Sequence, residues 1–90
     1  MIDLMQACEI AIDYYLKNTN KKYISKIYEH QDMWIIFGIS DEIEYGGCGI
    51  SIDKNTGKIS MFSLPSEKNF EIIDSSIQCQ VPAMFANVNS

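Results

Sequence analysis

The sequence predicts an α+β domain: an N-terminal helix packed on a four-stranded antiparallel meander, with a short second helix after the last strand. Three features of the 90-residue chain carry that prediction. Apolar residues recur at helical spacing near the N-terminus, and two β-rich runs follow with only a short polar break between them. A turn motif, DKNTGK, then separates two further apolar runs. A helix followed by consecutive strands, without strict alternation, favours an antiparallel sheet with a helix on one face over a parallel α/β arrangement.

The helix is expected over residues 3–17, where Leu4, Cys8, Ala11, Ile12 and Tyr15 fall on one arc and Gln6, Glu9, Asp13 and Lys17 on the other. Asp3 is its N-cap, and Asn18, Thr19 and Asn20 form a polar exit. Strands follow near 23–30 and 33–40, both rich in β-branched and aromatic residues, and the polar stretch Glu29 to Asp32 is short enough to make them a hairpin. In the second strand Trp34 and Ile36 share one face while Met33, Ile35, Phe37 and Ile39 share the other, so it should be buried on both sides. Residues 41–49 combine acids with glycines and read as a loop. Strands near 49–53 and 58–63 follow, then a break at Leu64-Pro65-Ser66. Ser66 caps a helix over 67–74 with Phe70 and Ile73 facing inward. The tail from 78 to 90 has no period and is expected to be irregular.

With 47% apolar and 21% charged residues, the chain has globular composition and a length that suits one domain, 1–90, folding alone or as a small homo-oligomer. A net charge of −5 argues against binding nucleic acid, which needs clustered cations, and favours a more basic protein partner. Cys8, Cys48 and Cys79 are widely spaced with no CxxC pair, so reduced thiols are expected in place of a disulfide or zinc site. The acidic N-terminal stretch does not suit a signal peptide, and no run reaches the length of a membrane span; the expected location is the cytoplasm.

Asp53, Asn55, Thr56 and Gly57 begin like a calcium loop, but an EF-hand would put Lys58 at its sharp-turn glycine and Leu64 at its bidentate glutamate. The same residues suit a hairpin turn: Asp53 accepts from amides ahead of it, and Gly57 takes a positive φ. Gly46-Gly47-Cys48-Gly49 lacks the GK[ST] and following helix of a phosphate loop. Cys48 with His30 has the residue types of a nucleophile and base, yet no oxyanion motif accompanies them. No catalytic residue, metal or cofactor is therefore expected. The exposed feature best suited to a partner is the acidic segment Asp41, Glu42 and Glu44 with the adjoining Tyr45, since loops on a rigid sheet commonly carry binding residues and tyrosine is a frequent anchor.

The N-terminal amphipathic helix, the central strand with Trp34 and Phe37, the segment from Gly49 through Asp53-Lys54-Asn55-Thr56-Gly57-Lys58 to Ile59, and the helix between Pro65 and Asp74 together resemble the immunity protein 35 (YrhB-like) family of small bacterial proteins. The resemblance covers most of residues 3–76. It implies a cytoplasmic antidote that binds and neutralises a cognate toxin, without enzymatic activity and without catalytic residues to carry over. Other classes that fit are a housekeeping interaction or chaperone-like domain and, more remotely, a small thiol enzyme using Cys48.

Overall fold

The computed structural model describes residues 1–19, 23–39, 47–64 and 67–85. In chain order the elements are α1 (Leu4–Asn18), β1 (Tyr23–His30), β2 (Met33–Ile39), β3 (Gly47–Asp53), β4 (Ile59–Leu64), α2 (Glu67–Asp74), β5 (Ile77–Cys79) and a single 3₁₀ turn at Ala83–Phe85. The fold is α+β, as its periodicities indicate. The sheet is antiparallel with strand order β4-β3-β2-β1-β5, so the expected meander is present and carries a fifth strand. That strand corrects the expectation of an irregular tail: after α2 the chain returns to pair Ile77, Gln78 and Cys79 with Glu29, Tyr28 and Ile27. Three residues are too few to show a period of two, and pairing with an existing strand edge is a tertiary preference that local pattern does not record.

Helix α1 starts where its capping chemistry dictates. Asp3 accepts from the Gln6 amide at 2.8 Å, and the Gln6 side chain accepts from the Asp3 amide at 3.0 Å, completing a capping box. At the other end Thr19 donates through both its amide and its hydroxyl to the Tyr15 carbonyl. The face between these caps buries Ala7, Cys8, Ala11 and Tyr15 against the sheet. Small residues at 7, 8 and 11 let the helix approach closely, and the Tyr15 hydroxyl reaches through the layer to donate to the Ile36 carbonyl at 2.9 Å.

Two apolar layers sandwich the sheet, which explains the unbroken apolar run in β2. Trp34 and Ile36 join Ile24, Ile27, Ile50 and Ile52 under α1, while Ile35 and Phe37 join Phe62 on the opposite face, where Tyr28, Met33, Ile72 and Ile73 pack around them. Ile24 and Ile27 are an odd number of residues apart yet share the α1 face. The register between β1 and β2 shifts between Ile24 and Lys26, and this bulge restores the alternation. On the second face Phe37 makes edge-to-face contacts with Tyr28 and Phe62, both with centroids 6.1 Å apart.

Helix α2 lies over that second face with an orientation that differs from expectation at one residue. Ile73 packs inward, but Phe70 is 47% exposed, and Ile72 is the second apolar contact. The inward stripe runs through Asn69, Ile72, Ile73 and Ser76, which places Phe70 on its shoulder.

Candidate functional site

The DKNTGK segment closes the β3–β4 hairpin, with Asp53 and Lys58 paired across a four-residue loop, Lys54 to Gly57. The Asp53 carbonyl accepts from the Gly57 amide at 2.8 Å, and the Asp53 amide donates to the Lys58 carbonyl at 3.0 Å. One oxygen of the Asp53 carboxylate accepts from the amides of Asn55 at 2.7 Å and Thr56 at 3.0 Å. The Thr56 hydroxyl accepts from the Lys58 amide, and Gly57 has φ +76°, a conformation that costs other residues strain. Every polar atom of Asp53 engaged here turns the chain.

Hydrogen bonds from the Asn55 amide first, and then from Thr56, hold the Asp53 carboxyl below its ordinary value of 3.8. A lowered folded-state value means that the turn's contribution is present at neutral pH, above the unfolded value, and is lost as the pH falls through the folded value. Replacing Asp53 with Asn keeps an acceptor but removes the charge. The wild type should therefore melt higher than Asp53→Asn at about pH 6, with the gap narrowing as the pH falls below the ordinary carboxyl value of 3.8. Thermal melts of both proteins across that range check this, and a gap independent of pH would contradict it.

Beside the turn lies a charged cluster that the sequence reading missed. Lys54 is only 7% exposed; its ammonium bonds the Glu29 carboxylate at 2.5 Å and stands 4.7 Å from the centroid of the Trp34 ring. Its backbone is tied as well, donating to the Asp32 carbonyl at 2.8 Å and accepting from the Ile2 amide at 2.7 Å. Trp34 completes the junction by donating from its indole nitrogen to the Ile2 carbonyl at 3.0 Å. Lys54 thus ties the chain's start, the β1–β2 turn and the β3–β4 turn together. In sequence it reads as an ordinary turn lysine, because nothing local reveals that Glu29 and Trp34 flank it.

The two described thiols are poorly suited to nucleophilic work. Burial, followed by the neighbouring Cys79 and Glu9, pushes the Cys8 thiol up to about 11, and burial followed by Glu29 raises that of Cys79. Cys48 enters β3 opposite Ser63, with its side chain outside the described residues. His30 ends β1, where its Nδ1 lies 3.4 Å from the Ser75 hydroxyl. The expected partner residues Asp41, Glu42, Glu44 and Tyr45 lie outside the described residues. Their segment connects the end of β2 at Ile39 to the start of β3 at Gly47.

On the α2 side of the sheet, an open groove of about 210 Å³ is lined by Asp32, Met33, Ser51, Asp53, Lys58 and Ser60. Pockets that enclose small molecules are typically larger, from about 300 Å³ upward, and mostly apolar. Among the described residues no group of three or more His, Cys, Asp or Glu side chains is placed to hold a metal, and no helix is long and apolar enough to cross a membrane.

No family model, curated protein or solved structure matches the chain.

Proposed function

We propose that the protein is a non-catalytic immunity protein, a bacterial antidote that neutralises one toxin by stoichiometric binding and occlusion. The observation that carries the reading is the Asp53–Lys58 hairpin, together with its place in the chain. It follows one helix and two strands and precedes a second helix, the order on which the resemblance to the immunity protein 35 family rests. A sheet packed on both faces supplies a rigid frame, and the net charge of −5 steers a basic partner toward it. Asp41, Glu42, Glu44 and Tyr45 are the proposed contact residues, the acids accelerating capture and the tyrosine anchoring the complex.

Co-expression with the product of the neighbouring reading frame tests the proposal. Growth arrested by that product should be restored, and the two chains should copurify at equal stoichiometry. Charge reversal at Asp41, Glu42 and Glu44 should slow association about tenfold at low salt and flatten its salt dependence. Absence of a toxic neighbour, combined with binding to many unfolded clients, would favour the chaperone-like class instead.

A further inference from the structure

The two edges of the sheet are finished differently. β5 forms one edge and is three residues long, a length that gives another strand little to pair with. β4 forms the other edge with six residues, ISMFSL. That strand has no charged residue and no proline within its bounds, and its register with β3 runs without a shift from Ile59 to Leu64. These are the devices by which edges are normally protected, and β4 has none of them. Among the described residues, no strand pairs with its outer side.

The hydrogen-bond alternation identifies which groups face outward. Asp53 donates to the Lys58 carbonyl across the hairpin. Counting on from that pair, Ser60, Phe62 and Leu64 turn their amides and carbonyls toward β3, leaving those of Ile59, Met61 and Ser63 on the open side. Met61 is also 60% exposed, and its sulfur accepts from the Tyr14 hydroxyl of α1 at 3.6 Å.

We infer that β4 is a homodimer edge, pairing antiparallel with β4 of a second copy about a two-fold axis through Met61. The register is self-complementary: Met61 meets Met61, and Ile59 meets Ser63, so all the outward donors and acceptors of one copy face those of the other. On the α1 side the two Met61 side chains bury each other between the two Tyr14 rings. A second copy is favoured over the basic partner of the proposed function because β4 offers that partner no acid. Two chains of charge −5 also meet least repulsion along an uncharged strip. The interface is small, which places the dimer among weak associations at about micromolar to tens of micromolar concentrations.

Sedimentation of the full chain across about 5 to 500 µM should show the mass moving from the single-chain 10.3 kDa toward about twice that. Met61→Pro deletes an outward amide that the intramolecular ladder does not use, and Met61→Lys sets like charges across the axis. Both should weaken association at least about tenfold while remaining folded. In the wild type alone, exchange of the Ile59, Met61 and Ser63 amides should slow as concentration rises. A wild type that stays monomeric throughout would overturn the inference, as would a dimer in which those amides remain unprotected. Association unchanged in a folded Met61 variant would do the same. None of these results bears on toxin neutralisation, which is read by rescue of growth.

Discussion

Gly49→Val is expected to destabilise the sheet strongly, despite the better strand propensity of valine. Gly49 lies in β3 opposite Phe37, and a Cβ added there meets the Ile36 carbonyl oxygen at 2.9 Å and the Phe37 ring at 2.8 Å. The ring is held from both sides by Tyr28 and Phe62, and the oxygen belongs to the backbone of the central strand, so neither moves aside cheaply. Valine's better strand propensity returns at most about 1 kcal/mol, against an overpacking cost of about 3 kcal/mol or more. For a domain this small, that net loss corresponds to a fall in melting temperature of about 10 °C or more. Gly57→Ala should cost less despite its positive φ. The new Cβ there meets only the terminal Ile2 methyl, at 3.0 Å, and the strain is confined to one turn residue. Thermal unfolding of the two variants decides the order, and Gly49→Ala provides a milder third point on the same scale.

The second large effect concerns the Lys54–Glu29 pair, where the two partners are not equivalent. Removing Glu29 leaves an ammonium in a site 7% exposed, over the Trp34 face; removing Lys54 leaves a carboxylate whose side chain is already 39% exposed. A stranded buried charge costs several kcal/mol, while a stranded carboxylate at the surface is rehydrated. Glu29→Ala is therefore expected to destabilise by about 2 kcal/mol, a figure below that for fully buried pairs because Glu29 itself reaches solvent. Lys54→Met replaces the ammonium over Trp34 with an apolar end of similar length and should cost less than about 1 kcal/mol. Denaturant melts of both variants measure the difference. Equal losses would mean that the pair acts through its mutual attraction, with little contribution from burial of the cation.

These energetics also explain which parts of the molecule were legible in the sequence. Helix α1 announces itself because a three-to-four spacing is a local property, and the Asp3 cap lies three residues from its partner Gln6. β2 was readable as a doubly buried strand because every position from Met33 to Phe37 is apolar, and the structure packs Trp34 and Ile36 on one face and Ile35 and Phe37 on the other. The hairpin at Asp53 is equally local, since its bonds span no more than a few residues. What the sequence hides is whatever depends on partners distant along the chain. Lys54 meets Glu29 across 25 residues, and β5 exists because β1 offers it an edge. Phe70 turns outward because the sheet selects Ile72 and Ile73 as the inward pair, although spacing alone gives Phe70 and Ile73 equal standing. For the candidate site the balance is similar. The turn residues of the hairpin could be named from their chemistry, whereas the cluster of Lys54, Glu29 and Trp34 beside it could not.

Stoichiometric neutralisation is the central claim, and titration of the purified chain against the product of the neighbouring reading frame tests it most directly. If the protein is an antidote acting by occlusion, toxin activity should fall linearly with added protein and reach its floor at one chain of antidote per toxin. That floor should persist with Cys48→Ala and His30→Ala, because neutralisation by occlusion would use no covalent or acid–base step. Inhibition at strongly substoichiometric amounts, or inhibition lost with either substitution in a folded protein, would mean that the chain destroys or modifies its target, and the binding account would be wrong.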